Sequence, residues 1–372
     1  MSRLRLAVIG AGHLGRLHAK LATQTELFQL VGIVDPSEES RRQVAQQLDV
    51  PVFEQIGSLA SSIDAAVVAT PSVHHHVVAK ELLDHGIHLL VEKPLAVTSE
   101  QAQDLVEFAT ERGVILQVGH IEQFNPAVRA ARLAVERPLY IESVRTSGFT
   151  FRSTDIGAVL DLMIHDLDII LSFVKAPIRE IHALGTSVMG GHEDMAQARL
   201  HFENGCVANL TASRTSFKAQ RTMQIFGQDV FADLDFAEPA LRLIHRSDQL
   251  SEGRFDVAEL LPEQRQHFQQ HLFDELLPIE EVDLESTNPL LDELKDFGHA
   301  FLSGHPVQVT GLQGYHAVKV AERVLAAIDE HASDVLRHGF RVTGNHVRTS
   351  ADRPITSPVR SIGQTDQRRK AG

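Results

Sequence analysis

The run Leu4-Arg5-Leu6-Ala7-Val8-Ile9, followed at once by Gly10-Ala11-Gly12-His13-Leu14-Gly15, restricts what this chain can fold into more than any other stretch. An apolar, β-branched segment leading into G-x-G-x-x-G, and then into Leu14, Leu17 and Leu21 at helical spacing, reads as strand, tight turn and helix. Gly10 permits the turn, Gly12 lets backbone N–H groups approach a pyrophosphate, and Gly15 allows the helix to lie close on the strand. His13 and Leu14 open that helix, whose N-terminus faces the anion. A second apolar run, Leu30-Val31-Gly32-Ile33-Val34, ends at Asp35, where a carboxylate can accept hydrogen bonds from a ribose diol. Glu38 and Glu39 make that neighbourhood acidic and unwelcoming to a 2′-phosphate, which favours NAD over NADP; Arg41 and Arg42 are the residues that speak for NADP.

A length of 372 residues suits two domains, or one large domain with a tail. With 43% hydrophobic and 23% charged residues the chain has the composition of a globular protein able to bury a sizeable core. The lone Cys206 allows no intrachain disulfide and fits a reducing, cytoplasmic setting. A net charge of -14 argues against nucleic acid as a partner, since neutralising phosphates needs basic surface. No stretch reads as a membrane span, and the short, glycine-broken apolar segment at the start reads as a first strand rather than a leader.

Residues 1–120 alternate strands (Leu6–Ile9, Leu30–Val34, Ala65–Ala69, His88–Val91, Val114–Val118) with helical stretches, the grammar of a Rossmann-type, doubly wound parallel sheet. Residues 121–335 change character. Ala196, Ala198, Leu200 and Phe202 alternate with Gln197, Arg199 and His201, as in a sheet with one covered face, and Asn204-Gly205 supplies a hairpin turn. The expectation is a C-terminal α+β domain on a mostly antiparallel, open-faced sheet, through which a homo-oligomer, dimer or tetramer, could form. Ser247–Thr287 reads as an acidic surface excursion, with helices near Leu290–Leu302 and Gly314–Ile328 after it. The last of these carries an apolar stripe of Ala317, Ala321, Val324, Leu325 and Ile328. Residues 336–372 read as a basic, disordered tail.

Three groups of residues could do chemistry. Lys93, in Val91-Glu92-Lys93-Pro94, stands at the carboxyl end of a strand, where ligands bind in open α/β sheets. Thr70-Pro71-Ser72 ends another strand in the same way, and His74 of His74-His75-His76 is the histidine expected to face the crevice while its neighbours are solvated. In Gly157–Asp168, helical spacing places Asp161, His165 and Asp168 on one face and Val159, Met163 and Leu167 on another. A carboxylate one turn from an imidazole can hold its tautomer, and histidine titrates near the pH at which a hydroxyl proton must be taken. The same residue types also suit a surface pair or a metal; no metal is expected, because zinc sites usually recruit three protein ligands.

Together, G-x-G-x-x-G, Ala69-Thr70-Pro71 with His74, Glu92-Lys93-Pro94 and Asp161…His165…Asp168 resemble the glucose–fructose oxidoreductase / inositol dehydrogenase / MocA family over roughly residues 4–330. The resemblance implies a Rossmann domain, an open-faced sheet domain, and oxidation or reduction of a sugar or cyclitol hydroxyl with NAD(P). It implies Lys93 beside the substrate hydroxyl, Asp161 as a substrate-binding aspartate and His165 as the catalytic histidine. Met163 replaces the glycine usual there, which could reshape the pocket floor. The segment Val118–Ala127, with Asn125, departs from the usual Gly-Tyr/Phe stretch. It is similar to that of dehydrogenases oxidising the 3-hydroxyl of UDP-N-acetylglucosamine or its uronate, as are Asp161–Asp166 and Ala212-Ser213-Arg214.

A UDP-sugar needs cations for its diphosphate, and Arg145, Arg152, Arg214, Lys218 and Arg221 are the candidates, with Arg152 and Arg214 taken as substrate-binding. The expected activity is NAD-dependent oxidation of a hydroxyl on a UDP-sugar, with His165, oriented by Asp161, as base and Lys93 polarising the oxygen. A dehydrogenase of a free cyclitol or monosaccharide, and a non-catalytic NAD-binding sensor, are the alternatives.

Overall fold

The computed structural model describes residues 3–337, so the part of the expected tail beyond Arg337 lies outside the described residues. Six strands, β1 (Leu4–Ile9), β2 (Phe28–Val34), β3 (Val52–Phe53), β4 (Ala65–Val68), β5 (His88–Glu92) and β6 (Leu116–Gly119), form a sheet in the order β3-β2-β1-β4-β5-β6. Every neighbouring pair is parallel. Helices on both faces bury such strands completely, which is why Ala65–Val68 is apolar without alternation. The strand order reverses between β1 and β4, and a crevice opens there at the carboxyl ends.

Helix α1 (His13–Ala22) departs from the leucine stripe read in the sequence. Its buried side is Gly15, His18, Ala19, Leu21 and Ala22, while Leu14 and Leu17 remain 38% and 37% exposed. Close approach to the sheet demands small residues: a Cβ on Gly15 would stand 1.8 Å from the Gly10 carbonyl oxygen. Helices α2 (Glu38–Gln47), α3 (His75–Asp84) and α4 (Ser99–Arg112) complete the alternation, with Gly113 ending α4 in the left-handed conformation at φ 65°.

The second sheet has eight strands: β7 (Pro138–Thr146), β8 (Ile178–Thr186), β9 (Met195–Phe202), β10 (Val207–Ser213), β11 (Gln220–Gly227), β12 (Val230–Asp235), β13 (Ala240–His245) and β14 (Ile279–Glu281). They run in the order β14-β13-β12-β11-β7-β10-β9-β8, antiparallel except for the parallel pair β7–β10. The alternation in β9 is realised, with Ala196, Ala198, Leu200 and Phe202 buried. Within the expected surface excursion, Ile279–Glu281 instead adds an edge strand to β13.

Helix α5 (Pro126–Ala134) packs on β12 and β13, and α6 (Ile164–Val174) on β7. The helix Pro289–Ser303 lies on α1, its Leu290, Leu294 and Phe297 sharing a core with Leu4 and Phe28 of the first sheet. The helix Gly311–Arg337 contacts α4, α6 and β8 and so ties the two sheets together. Ala317, Ala321, Val324 and Ile328 form its buried stripe. Among the described residues no helix is long and apolar enough to cross a membrane.

Candidate active site

The glycine turn after β1 is built against the end of β4. Gly10 has φ +103°, and a Cβ there would meet the Ala69 carbonyl oxygen at 2.5 Å, so glycine is required on both backbone and steric grounds. Above Gly12 nothing lies within 4 Å of where a Cβ would be, and Gly12, His13 and Leu14 are exposed at the N-terminus of α1. Asp35, just past β2, accepts from the Ala11 amide at 2.8 Å and from the Ser37 amide at 2.8 Å, so its carboxylate braces the turn while standing at the ribose position. The Thr70 hydroxyl is buried without a partner. An open glycine cradle, a strand-end carboxylate and an unpaired hydroxyl at one crevice fit a dinucleotide. Arg41 donates to the Asp35 carbonyl and lies near Glu54, and Arg42 pairs with Glu38, so both cations that could have met a 2′-phosphate are engaged.

Lys93 follows β5 and reaches into the second half of the chain. Its Nζ donates to the Asp161 carbonyl oxygen at 2.6 Å and to Asp161 Oδ1 at 3.2 Å. Asp161 lies on a single wide turn of π-helix, Val159–Met163, that precedes α6; such turns re-aim side chains at functional sites. The regular α-helix read from spacing is therefore interrupted at Asp161, and this corrects one assignment: Asp161 holds Lys93 rather than the imidazole of His165.

The ring of His165 has a buried Nδ1 without a partner, and its pKa is pushed well below the ordinary imidazole value. Burial is the main cause, followed by the positive charges of Lys93 and Arg145. His165 is thus an uncharged base beside a cation. Asp168 accepts from Gln123 Nε2 at 2.5 Å and belongs to the interior. Met163 is fully buried in the core.

Several expected site residues have other work. Arg214 is buried, with Nε on Asp194 at 2.8 Å and Nη1 on the Ser153 and Ile156 carbonyls, which leaves it no role as a diphosphate clamp. Arg145 is buried between Asp166 and Glu122. Asn125 caps α5, its Oδ1 accepting from the Ala127 amide and its Nδ2 donating to Glu122. Arg152, Lys218 and Arg221 are exposed, and Arg221 is near enough to His165 to depress it further.

His74 is exposed, and the histidine turned inward is His75, which bridges the Pro94 carbonyl at 2.7 Å and the Thr70 carbonyl at 2.9 Å. His75 thereby joins the two strand-end loops that carry Thr70-Pro71 and Lys93. Sequence reading also passed over His120, directly after β6, buried with neither ring nitrogen bonded, and charge-coupled to Asp168, Lys93 and Glu92. The signal was available: the strand-end rule that picked Lys93 and Thr70 applies equally to β6.

These features agree with comparisons to known proteins. The family model described as an oxidoreductase family with an NAD-binding Rossmann fold matches residues 4–120, and the GFO/IDH/MocA C-terminal domain matches residues 127–230. UDP-N-acetylglucosamine 3-dehydrogenase of Acidithiobacillus ferrooxidans is 34% identical over 88% of this chain and 98% of its own length. Its solved structure superposes with a TM-score of 0.77. The NAD(+)-dependent scyllo-inositol 2-dehydrogenase of Bacillus subtilis is 26% identical over 84% of this chain and 98% of its own length. A levoglucosan dehydrogenase solved with NADH shares the fold at TM-score 0.76 and 17% identity, covering 88% of this chain and 98% of its own. The chain is a member of the GFO/IDH/MocA family of oxidoreductases with an NAD-binding Rossmann domain.

Proposed function

We propose that the protein oxidises the 3-hydroxyl of UDP-N-acetylglucosamine, or of a closely related UDP-sugar, to a ketone. The observation that carries the chemistry is Lys93, at the carboxyl edge of the first sheet, anchored by Asp161 and close enough to depress the pKa of His165 on the facing helix α6. Gly10, Gly12, His13, Leu14, Gly15, Asp35, Thr70 and Pro71 hold NAD, which supplies the hydride-accepting ring carbon when bound. With Nδ1 of His165 sealed from solvent, Nε2 is the nitrogen that takes the hydroxyl proton. Lys93 donates a hydrogen bond to the same oxygen and stabilises the negative charge growing on it as the C–H bond breaks. Asp161 fixes the ammonium so that no reorientation is needed during the reaction.

The UDP assignment is supported by the 34% identical relative. On the molecule it rests on Arg152, Lys218 and Arg221, exposed cations on a chain of net charge -14. With Arg145 and Arg214 absorbed into the interior this clamp is thin, which favours a second reading: a dehydrogenase of a free cyclitol. NADH absorbance with a panel of UDP-sugars and inositols, with UDP as competitor, separates the two. Turnover of inositol that UDP does not inhibit would exclude the nucleotide-sugar reading.

The open face of the second sheet carries Phe226, 37% exposed, with its ring against those of Tyr140 and Phe231. We assign this face to association of two copies. Sedimentation should then give a dimer or larger assembly that Phe226→Lys dissociates, and a monomeric wild type would exclude it.

A further inference from the structure

Three buried side chains from distant parts of the chain meet behind Lys93: His18 of α1, Glu92 at the end of β5, and Glu293 of the helix Pro289–Ser303. One donor atom of each lies within 4.8 Å of the other two. His18 Nε2 and Glu92 Oε1 form a hydrogen-bonded pair at 2.7 Å. Glu293 is 0% exposed, and neither of its carboxylate oxygens has a partner.

An ionised carboxylate cannot be left in this state. It would have lost its water, gained no hydrogen bond, and faced a second carboxylate, since Glu92 is the anion nearest it across the cluster and Asp296 lies on its own helix. The imidazole of His18 in the same cluster is already committed to Glu92, and the positive charge of Lys93 acts on Glu92 as well. A metal could also gather two carboxylates and an imidazole. Ligands of a tetrahedral zinc stand about 3.3 Å apart at normal bond lengths, however, and the His18–Glu92 separation of 2.7 Å is that of a shared proton.

We propose that Glu293 is an uncharged carboxylic acid whose proton completes the buried His18–Glu92 pair, making it a positioning residue that fixes the carboxylate next to Lys93. Gln117 Nε2 donates to the backbone carbonyl of Glu293 at 3.1 Å, and the amide oxygen of Gln117 is also buried and unpartnered. The cluster then joins the glycine-turn helix, the Lys93 strand and the C-terminal half of the chain. The consequence for Lys93 rests on the catalytic reading above; the proton does not.

The direct test needs neither substrate nor variant. The infrared spectrum of the wild-type protein at pH 7 should contain the C=O stretch of a protonated carboxyl, and Glu293→Gln should remove it. Absence of that band at neutral pH, or one equivalent of bound zinc in the purified protein, overturns the proposal. The pH dependence of stability gives a second reading. A carboxyl whose folded pKa is raised loses stability as pH climbs from the unfolded value of about 4.3 towards the folded one. The wild type should therefore lose ground against Glu293→Gln as pH rises from about 5 to 8, and a glutamine variant less stable across that whole range would refute the neutral acid. In turnover, Glu293→Leu should lower kcat by ~10- to 100-fold without changing KM for NAD, and Glu293→Gln should rescue most of that loss. Equal loss in both variants would mean that the charge, not the hydrogen bond, is needed.

Discussion

The carboxyl edge of the first sheet and the inner face of the second carry similar residue types, yet they use them in opposite ways. At the first edge, polar groups are left short of partners: the Thr70 hydroxyl, both nitrogens of His120 and Nδ1 of His165 on the facing helix are buried and unpaired. Under the second sheet, Arg145 is paired with Asp166 and Glu122, and Arg214 with Asp194 and two backbone carbonyls. Unspent hydrogen-bonding capacity in a cleft marks a place made for something that arrives later. A closed charge network marks a place that holds the fold.

Breaking the second region should cost the most. Asp166→Ala takes from the buried Arg145 the carboxylate that accepts from its Nε and Nη2, leaving only Glu122 on Nη1, and should destabilise the protein by about 3 kcal/mol, read by denaturant titration; a loss below about 1 kcal/mol would move Arg145 back among the ligand contacts. At the first edge, Lys93→Met and His165→Asn should leave the melting temperature nearly unchanged. Each should lower kcat by about 100-fold or more, roughly 2.7 kcal/mol, with NAD still bound. Full turnover in either variant would remove that residue from the mechanism.

Asp35→Ala removes a carboxylate that accepts two backbone amides and should weaken NAD by ~10- to 100-fold in a fluorescence titration. An unchanged preference for NAD over NADP would refute its role at the ribose. Arg152→Ala should raise KM for a UDP-sugar by about tenfold while Arg152 contributes nothing to stability, the reverse of Arg214→Ala. Equal behaviour of the two arginines would erase the contrast between the regions.

The smallest effect concerns acid. A histidine whose folded pKa is depressed penalises the native state below the unfolded value of about 6.5, because the unfolded chain binds the proton and the folded one does not. Stability should therefore fall between about pH 6.5 and 5. His165→Asn should recover part of it, by at most about 1.4 kcal/mol per pH unit, in melting curves taken across that window. An identical acid slope in the variant would mean His165 is not buried uncharged.

Much of the first region was legible because its function is made by the backbone. A glycine at φ +103° and a residue at a strand end are consequences of local sequence, so Gly10, Asp35, Thr70 and Lys93 could be picked out before any fold was known. The second region hides the distinction between Arg152 and Arg214, since a guanidinium on a strand reads the same whether it meets a ligand or Asp194. Helical spacing misled at Asp161 because one extra residue in a π-turn changes which neighbours face each other. His74 was chosen over His75 because nothing in three consecutive histidines says which one turns toward the Thr70 and Pro94 carbonyls.

The sequence by itself determined the parallel sheet, the dinucleotide turn and the set of residues able to move a proton, because strand and helix periodicity and glycine geometry act over a few residues. Tertiary structure alone decided the pairing of those residues. Lys93 with Asp161, His18 with Glu92, and Glu293 left without a partner join segments up to 275 positions apart. Charges become partners or ligand contacts only when burial removes the water that would otherwise serve each of them equally well.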